Sequence, residues 1–155
     1  MTTNTMRQAG GATETRGLRG VAVIGLLLIV FGAILAVAGV VTWVAVGNEL
    51  GAEKITVSED AARFAGATVD TPWEAYTEAE VIQKHAMEAS GGKTYAELDQ
   101  TDPKRSTVMT ASFLRASLFT SVVAFGVALM AAALGVGFIL TGFALRRVAR
   151  RADVV

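Results

Sequence analysis

The one histidine of this chain, His85, shares a helical face with three carboxylates, because Glu74, Glu78 and Glu88 stand eleven, seven and three residues away from it. Imidazole and carboxylate together suit several divalent cations, so these four residues are the candidate metal ligands. The competing reading is a solvated polar face, with Glu80 and Lys84 forming an i,i+4 ion pair beside it. A single helix face closes a coordination sphere badly, and no cofactor is expected from this set.

Other chemistry is thinner. Gly91-Gly92-Lys93-Thr94 has the tail of a phosphate-binding loop, but the glycine required five residues before Gly92 is Met87. The stretch also follows an expected helix rather than a strand, so it reads as a helix stop. Ser-His-Asp catalysis would depend on His85, and no nucleophile-elbow motif surrounds any serine. With no cysteine, thiol nucleophiles, disulfides and thiolate metal sites are excluded. No catalytic residue is assigned, and a non-enzymatic protein is expected.

The elements that must carry these residues follow from composition. Hydrophobic residues make up 52% of the 155 and charged residues only 18%. The apolar residues concentrate in two blocks, Val21 to Gly47 and Ala116 to Leu145, and neither contains a charge. Each exceeds the ~20 residues an α-helix needs to cross the hydrocarbon of a bilayer. The expected fold is therefore an all-α membrane protein: an antiparallel two-helix transmembrane hairpin with a small, mainly helical extracytoplasmic segment. The divisions are a disordered cytoplasmic tail (1–18), the first span (19–47), an acidic outer segment (48–114), the second span (115–145) and a basic tail (146–155). The spans lack interior Asp, Glu, Lys, Arg or His, which argues against an autonomous pump or coupled transporter.

Orientation follows from charge. The chain is neutral as a whole, but the residues before Val21 carry +2, those after Leu145 carry +3, and Asn48 to Leu114 carry −6. Arg16 and Arg19 flank the first block, and Arg146, Arg147, Arg150 and Arg151 follow the second. Basic flanks stay on the cytoplasmic side, so both ends are expected inside a plasma membrane and the acidic middle outside. The arginine cluster is explained by topology, and no nucleic-acid partner is expected. Arg115, at the outer end of the second span, is read as snorkelling to the headgroups. The first block is longer than the apolar core of a cleaved secretory signal and reads as an uncleaved anchor.

Both blocks carry small residues seven apart: Gly25, Gly32 and Gly39, with Ala36 beside them, and Ser121, Ala128, Gly135 and Gly142. Seven residues is almost two helical turns, so each set lines one stripe. In lipid, small residues let helix backbones approach closely. Either the stripes join each other, or one seals the hairpin and the other meets a partner. Thr42, Ser121 and Thr141 are read as interhelical hydrogen-bonding groups, and Trp43 as an interfacial anchor.

Within the outer segment, Glu53 to Val57 looks like a short strand. Thr71-Pro72-Trp73-Glu74 predicts a helix start with a capping box, and Gly91-Gly92 its end near Ser90. Thr94-Tyr95-Ala96-Glu97 repeats the capping pattern for a shorter helix. Asp102-Pro103 caps a third helix that continues into the second span. A core this thin is expected to lean on the membrane, on another copy or on another protein.

The stretch from Glu53 to Asp99 (EKITVSEDAARFAGATVDTPWEAYTEAEVIQKHAMEASGGKTYAELD), with FLRASLFTSVVAFGVA from Phe113 to Ala128, resembles a group of uncharacterised actinobacterial two-span membrane proteins. The resemblance implies the same two spans and acidic ectodomain. Some of that group carry the label of aromatic ring-opening dioxygenase, which would imply non-haem iron. A facial triad needs two histidines and a carboxylate, and this chain has one histidine. The function expected from the residues is structural or accessory: a protein that packs with itself or with other membrane proteins in the bilayer. The alternative is binding of a cation or a cationic envelope component by the acidic helix, and an oxygenase comes third.

Overall fold

The structure is a computed structural model that describes the backbone of residues 3–152 and the side-chain surroundings of residues 19–151. Arg16 and the side chains of the expected tail at 1–18 lie outside the described residues. Three helices follow in order: α1 (Thr3–Ala52), α2 (Pro72–Ser90) and α3 (Arg105–Ala152). No strand occurs among the described residues, so the strand-like run at Glu53 to Val57 reduces to one antiparallel bridge, Thr56 with Thr68. Two stretches, Arg19–Ala52 and Arg105–Arg151, are long and apolar enough to cross a membrane. The helical range of α1 begins ahead of Arg19, where hydropathy starts the first span. At the other end, α3 holds Arg150 and Arg151 in its last turn, where cations suit the negative end of the helix dipole.

The chain divides into two compact units, one of residues 1–40 and 129–155 and one of residues 41–128. In the first, Gly25 lies against Gly142 and Gly32 against Gly135. A step of seven along α1 thus matches a step of seven backwards along α3. A Cβ on Gly32 would stand 2.5 Å from the Gly135 carbonyl oxygen, and one on Gly135 would stand 2.5 Å from the Ala36 nitrogen. No side chain fits there, and the two stripes meet backbone to backbone. Phe31 and Phe138 pack beside the contact with ring centroids 5.8 Å apart. The large apolar side chains point the other way: Leu27, Val37, Leu140 and Val148 are all exposed.

The second unit has a small core of Leu50, Val57, Val69, Ala75, Ala79, Leu118 and Phe125. Its larger members, Leu50, Leu118 and Phe125, come from α1 and α3, so the thin segment between the long helices completes its core with their residues. Trp43 belongs here too. Its ring meets Phe125 edge-on at 4.8 Å and packs on the core while staying partly exposed.

α2 runs as its signals predict, from N-cap Thr71 with Pro72 in the first turn to Gly91 at φ 75°. Left-handed backbone there lets the Gly91 and Gly92 N–H groups donate to the Glu88 and Met87 carbonyls. The capping box forms differently: the Thr71 hydroxyl donates to the Glu74 carboxylate and accepts nothing from the helix backbone.

The second capping pattern does not launch a helix. The Thr94 N–H and hydroxyl both donate to Glu97 Oε2 at 2.8 Å, closing a single turn. Arg105 then takes the Leu98 carbonyl at 2.6 Å and the Tyr95 carbonyl at 3.3 Å. Those carbonyls would be helix acceptors, and too few residues precede Pro103 to repay helix nucleation. Asp102 starts α3 as expected, with its carboxylate 2.9 Å from the Lys104 N–H.

Candidate functional site

The four candidate ligands on α2 do not meet. An α-helix rises 1.5 Å per residue, so residues seven apart on one face are still separated by ~10 Å along the axis. Three of the four have found separate partners. Glu78 is 6% exposed and accepts from the Ser58 N–H at 2.8 Å and the Ser58 hydroxyl at 3.0 Å. Glu74 accepts from Thr71. His85 Nε2 lies 3.0 Å from Asp60 Oδ2. Among the described residues no group of three or more His, Asp or Glu side chains is gathered to hold a metal ion. The projection that united these residues ignored the helix axis.

Two of them, Glu78 and His85, together with Lys84 fasten the loop after Val57 to α2. Glu78 holds Ser58, while Lys84 (2.8 Å) and His85 both hold Asp60. Lys84 thus pairs across the loop and not with Glu80 as its spacing suggested. The hydrogen bond from Lys84, then that from His85, brings the Asp60 carboxyl from 3.8 down to about 2. The same contact raises Lys84. Glu80 turns to Tyr76 and raises that phenol, and the Thr94 backbone N–H, then its hydroxyl, lower Glu97.

The hydroxyls read as interhelical groups turn back onto their own helices. Ser121 donates to the Ser117 carbonyl at 3.3 Å and Thr141 to the Gly137 carbonyl at 2.9 Å. Serine and threonine in a helix have the carbonyl four residues back always within reach. Of the stripe residues, Gly25, Gly32, Gly39, Ala128, Gly135 and Gly142 are buried, Ala36 and Ser121 half-buried. Arg19, Arg147, Arg150 and Arg151 are exposed and Arg146 is half-buried.

One feature went unread in the sequence. Phe64, Trp73 and Tyr76 stand exposed by 42%, 66% and 46% around an open groove of 590 Å³ lined by Arg63, Phe64, Pro72, Trp73, Tyr76, Thr77 and Val122. Phe64 has φ +57°, a left-handed conformation that costs a bulky residue about 1–2 kcal/mol. The turn holds it there, since the Phe64 carbonyl accepts from the Ala67 N–H at 2.8 Å and the Gly66 N–H reaches back to Val57. Tyr76 rests edge-on upon Phe119 at 5.7 Å. The Arg115 guanidinium lies 5.0 Å over the Phe119 ring, with its buried Nε unpartnered. The sequence signal was present as three aromatics in thirteen residues around a proline, but helix-start chemistry claimed Trp73 first.

Comparison with protein-family models, with curated proteins and with solved structures finds no match for this chain.

Proposed function

We propose that this chain is a non-enzymatic integral protein of the plasma membrane, a two-span hairpin with both basic flanks in the cytoplasm and an acidic, compact domain outside, acting as a structural or accessory component of a membrane complex. One observation carries this reading: in the unit of residues 1–40 and 129–155, Gly25 and Gly32 face Gly142 and Gly135, while Leu27, Val37, Leu140 and Val148 face outward. A water-soluble helix pair would bury its leucines and valines and expose polar groups. In lipid the order reverses, because hydrocarbon solvates leucine as well as another helix does and close backbone packing supplies the association.

The glycine stripes are occupied by each other, so any partner must take a different face. The outward leucines and valines, and the outer domain, remain for that role. The cation-binding alternative loses its support with the dispersal of Glu74, Glu78, His85 and Glu88. The residues also offer no pair of histidines for oxygenase iron.

The absence of cysteine makes a direct test simple. Single cysteines at the exposed positions Thr101 and Arg151 are treated with a membrane-impermeant maleimide. The expected result is labelling of Thr101→Cys on intact cells, labelling of Arg151→Cys only after permeabilisation, and resistance of both to alkaline extraction. Labelling of both on intact cells, or release by alkali, overturns the topology. Mild-detergent native electrophoresis tests the accessory role, and migration as a bare monomer contradicts it.

A further inference from the structure

We propose that the aromatic groove of the outer domain is a lipid seat: Phe64, Trp73 and Tyr76 lie at the headgroup–acyl boundary of the outer leaflet, where a phospholipid fills the groove and Arg63 meets its phosphate. This rests on the two-span reading above.

Three independent observations carry it. The first is continuity. Val122 belongs to the uncharged block of the second span and lines the groove, while Val123 beside it is exposed. The groove therefore opens from the apolar surface of α3 itself.

The second observation is composition. Trp and Tyr favour the membrane–water boundary because their rings are apolar and their polar edges are wet. Here both are exposed on the first turns of α2. Arg63 lines the same groove in a segment of balance −6 and makes no ion pair among the described residues. A free cation in an acidic domain, set beside exposed aromatics, suits a phosphodiester better than an apolar protein face.

The third observation is strain. Phe64 is held at φ +57° with its ring exposed. Strained backbone of this kind persists where the surroundings impose it, and it concentrates at ligand contacts. Glycine would relieve the strain and remove the exposed ring at once.

The chain has two tryptophans, so Trp43→Phe leaves Trp73 as the only indole of the full-length protein. It is reconstituted into phosphatidylcholine–phosphatidylglycerol vesicles containing lipids brominated either near the glycerol or deep in the chain, with iodide on both sides as the aqueous quencher. The expected result is blue-shifted emission quenched more by the shallow bromolipid than by the deep one, and little affected by iodide. Strong iodide quenching without bromolipid quenching overturns the proposal, as does shielding from both, which would mean a second copy or another protein covers the groove. Phe64→Gly in the same background is expected to melt higher yet lose about half of the bromolipid quenching. Unchanged quenching in that variant overturns the seat assigned to Phe64. Alkaline extraction of the same vesicles separates the two levels. Release from the membrane refutes the two-span reading, whereas retention with an iodide-accessible Trp73 refutes the lipid seat alone.

Discussion

Replacing Gly135 by alanine tests one of the tightest helix contacts among the described residues. A Cβ at that position would lie 2.5 Å from the Gly32 oxygen and the Ala36 nitrogen and 2.9 Å from the Ala36 Cα. All three are backbone atoms of α1, which cannot rotate away as a side-chain tip can. Ordinary contact begins at 3.4 Å, so α1 must retreat by ~1 Å, and a gap of that size forfeits roughly a quarter to a half of each dispersion contact along the stretch. Overpacking of this kind costs about 1–3 kcal/mol. Gly137 is the internal control: it lies two residues away on the same helix and nothing stands within 4 Å of its added Cβ. Alanine there is neutral or stabilising by up to ~1 kcal/mol through helix propensity. Gly32→Ala strains the same contact from the other side. The double variant should therefore cost clearly less than the two singles together, since helices already pushed apart accommodate the second methyl. The assay is thermal unfolding in mild detergent followed by far-UV circular dichroism. If Gly137→Ala destabilises as much as Gly135→Ala, or if the Gly32 and Gly135 effects add fully, the backbone-to-backbone contact is refuted.

Other outcomes follow from the outer domain. Glu78→Ala leaves the Ser58 N–H and hydroxyl without their charged acceptor and should lower stability by about 2–3 kcal/mol in the same melt, with Glu78→Gln costing less because it keeps one acceptor oxygen. Trp43→Ala removes the edge contact with Phe125 and should cost about 3 kcal/mol, whereas Trp73→Ala in detergent, where its ring has no protein to leave, should be close to neutral. The clip at Asp60 has a defined pH window. Its carboxyl is lowered from 3.8 to about 2 in the fold, so its stabilisation is fully present above 3.8, declines as the pH falls from there, and is gone below about 2. The melting difference between the native chain and Asp60→Asn should follow that course, and a difference that grows on acidification would contradict it.

The ends of α2 and the start of α3 were legible because their signals are local. Pro72 after Thr71, glycine at 91 and 92, and Asp102 before Pro103 each act within one turn, and α2 and α3 begin or end where these residues sit. Thr94 and Glu97 carry the same local signal without producing a helix, because Arg105, ten residues beyond Tyr95, claims the carbonyls. The partners of Glu78, Lys84 and His85 were equally hidden. Their bonds reach back 20 to 25 residues to Ser58 and Asp60, and helical spacing says nothing about a loop at that separation. The contact of Trp43 with Phe125 was hidden for the same reason, since Phe125 is remote in the chain.

By itself the sequence determined two apolar blocks long enough to form membrane-crossing helices, the partition of charge around them and the seven-residue spacing of their small residues. These are properties of composition and period, which every residue expresses whatever lies beside it. Only the tertiary structure decided that the stripe of Gly25 and Gly32 meets the stripe of Gly142 and Gly135, because a stripe states that something comes close without stating what. It also decided that Glu78 and His85 of α2 fasten a loop rather than converge with Glu74 and Glu88, and that Phe64, Trp73, Tyr76 and Val122 share one groove. Convergence of distant residues depends on how the chain turns back on itself, and no periodicity along the sequence records that.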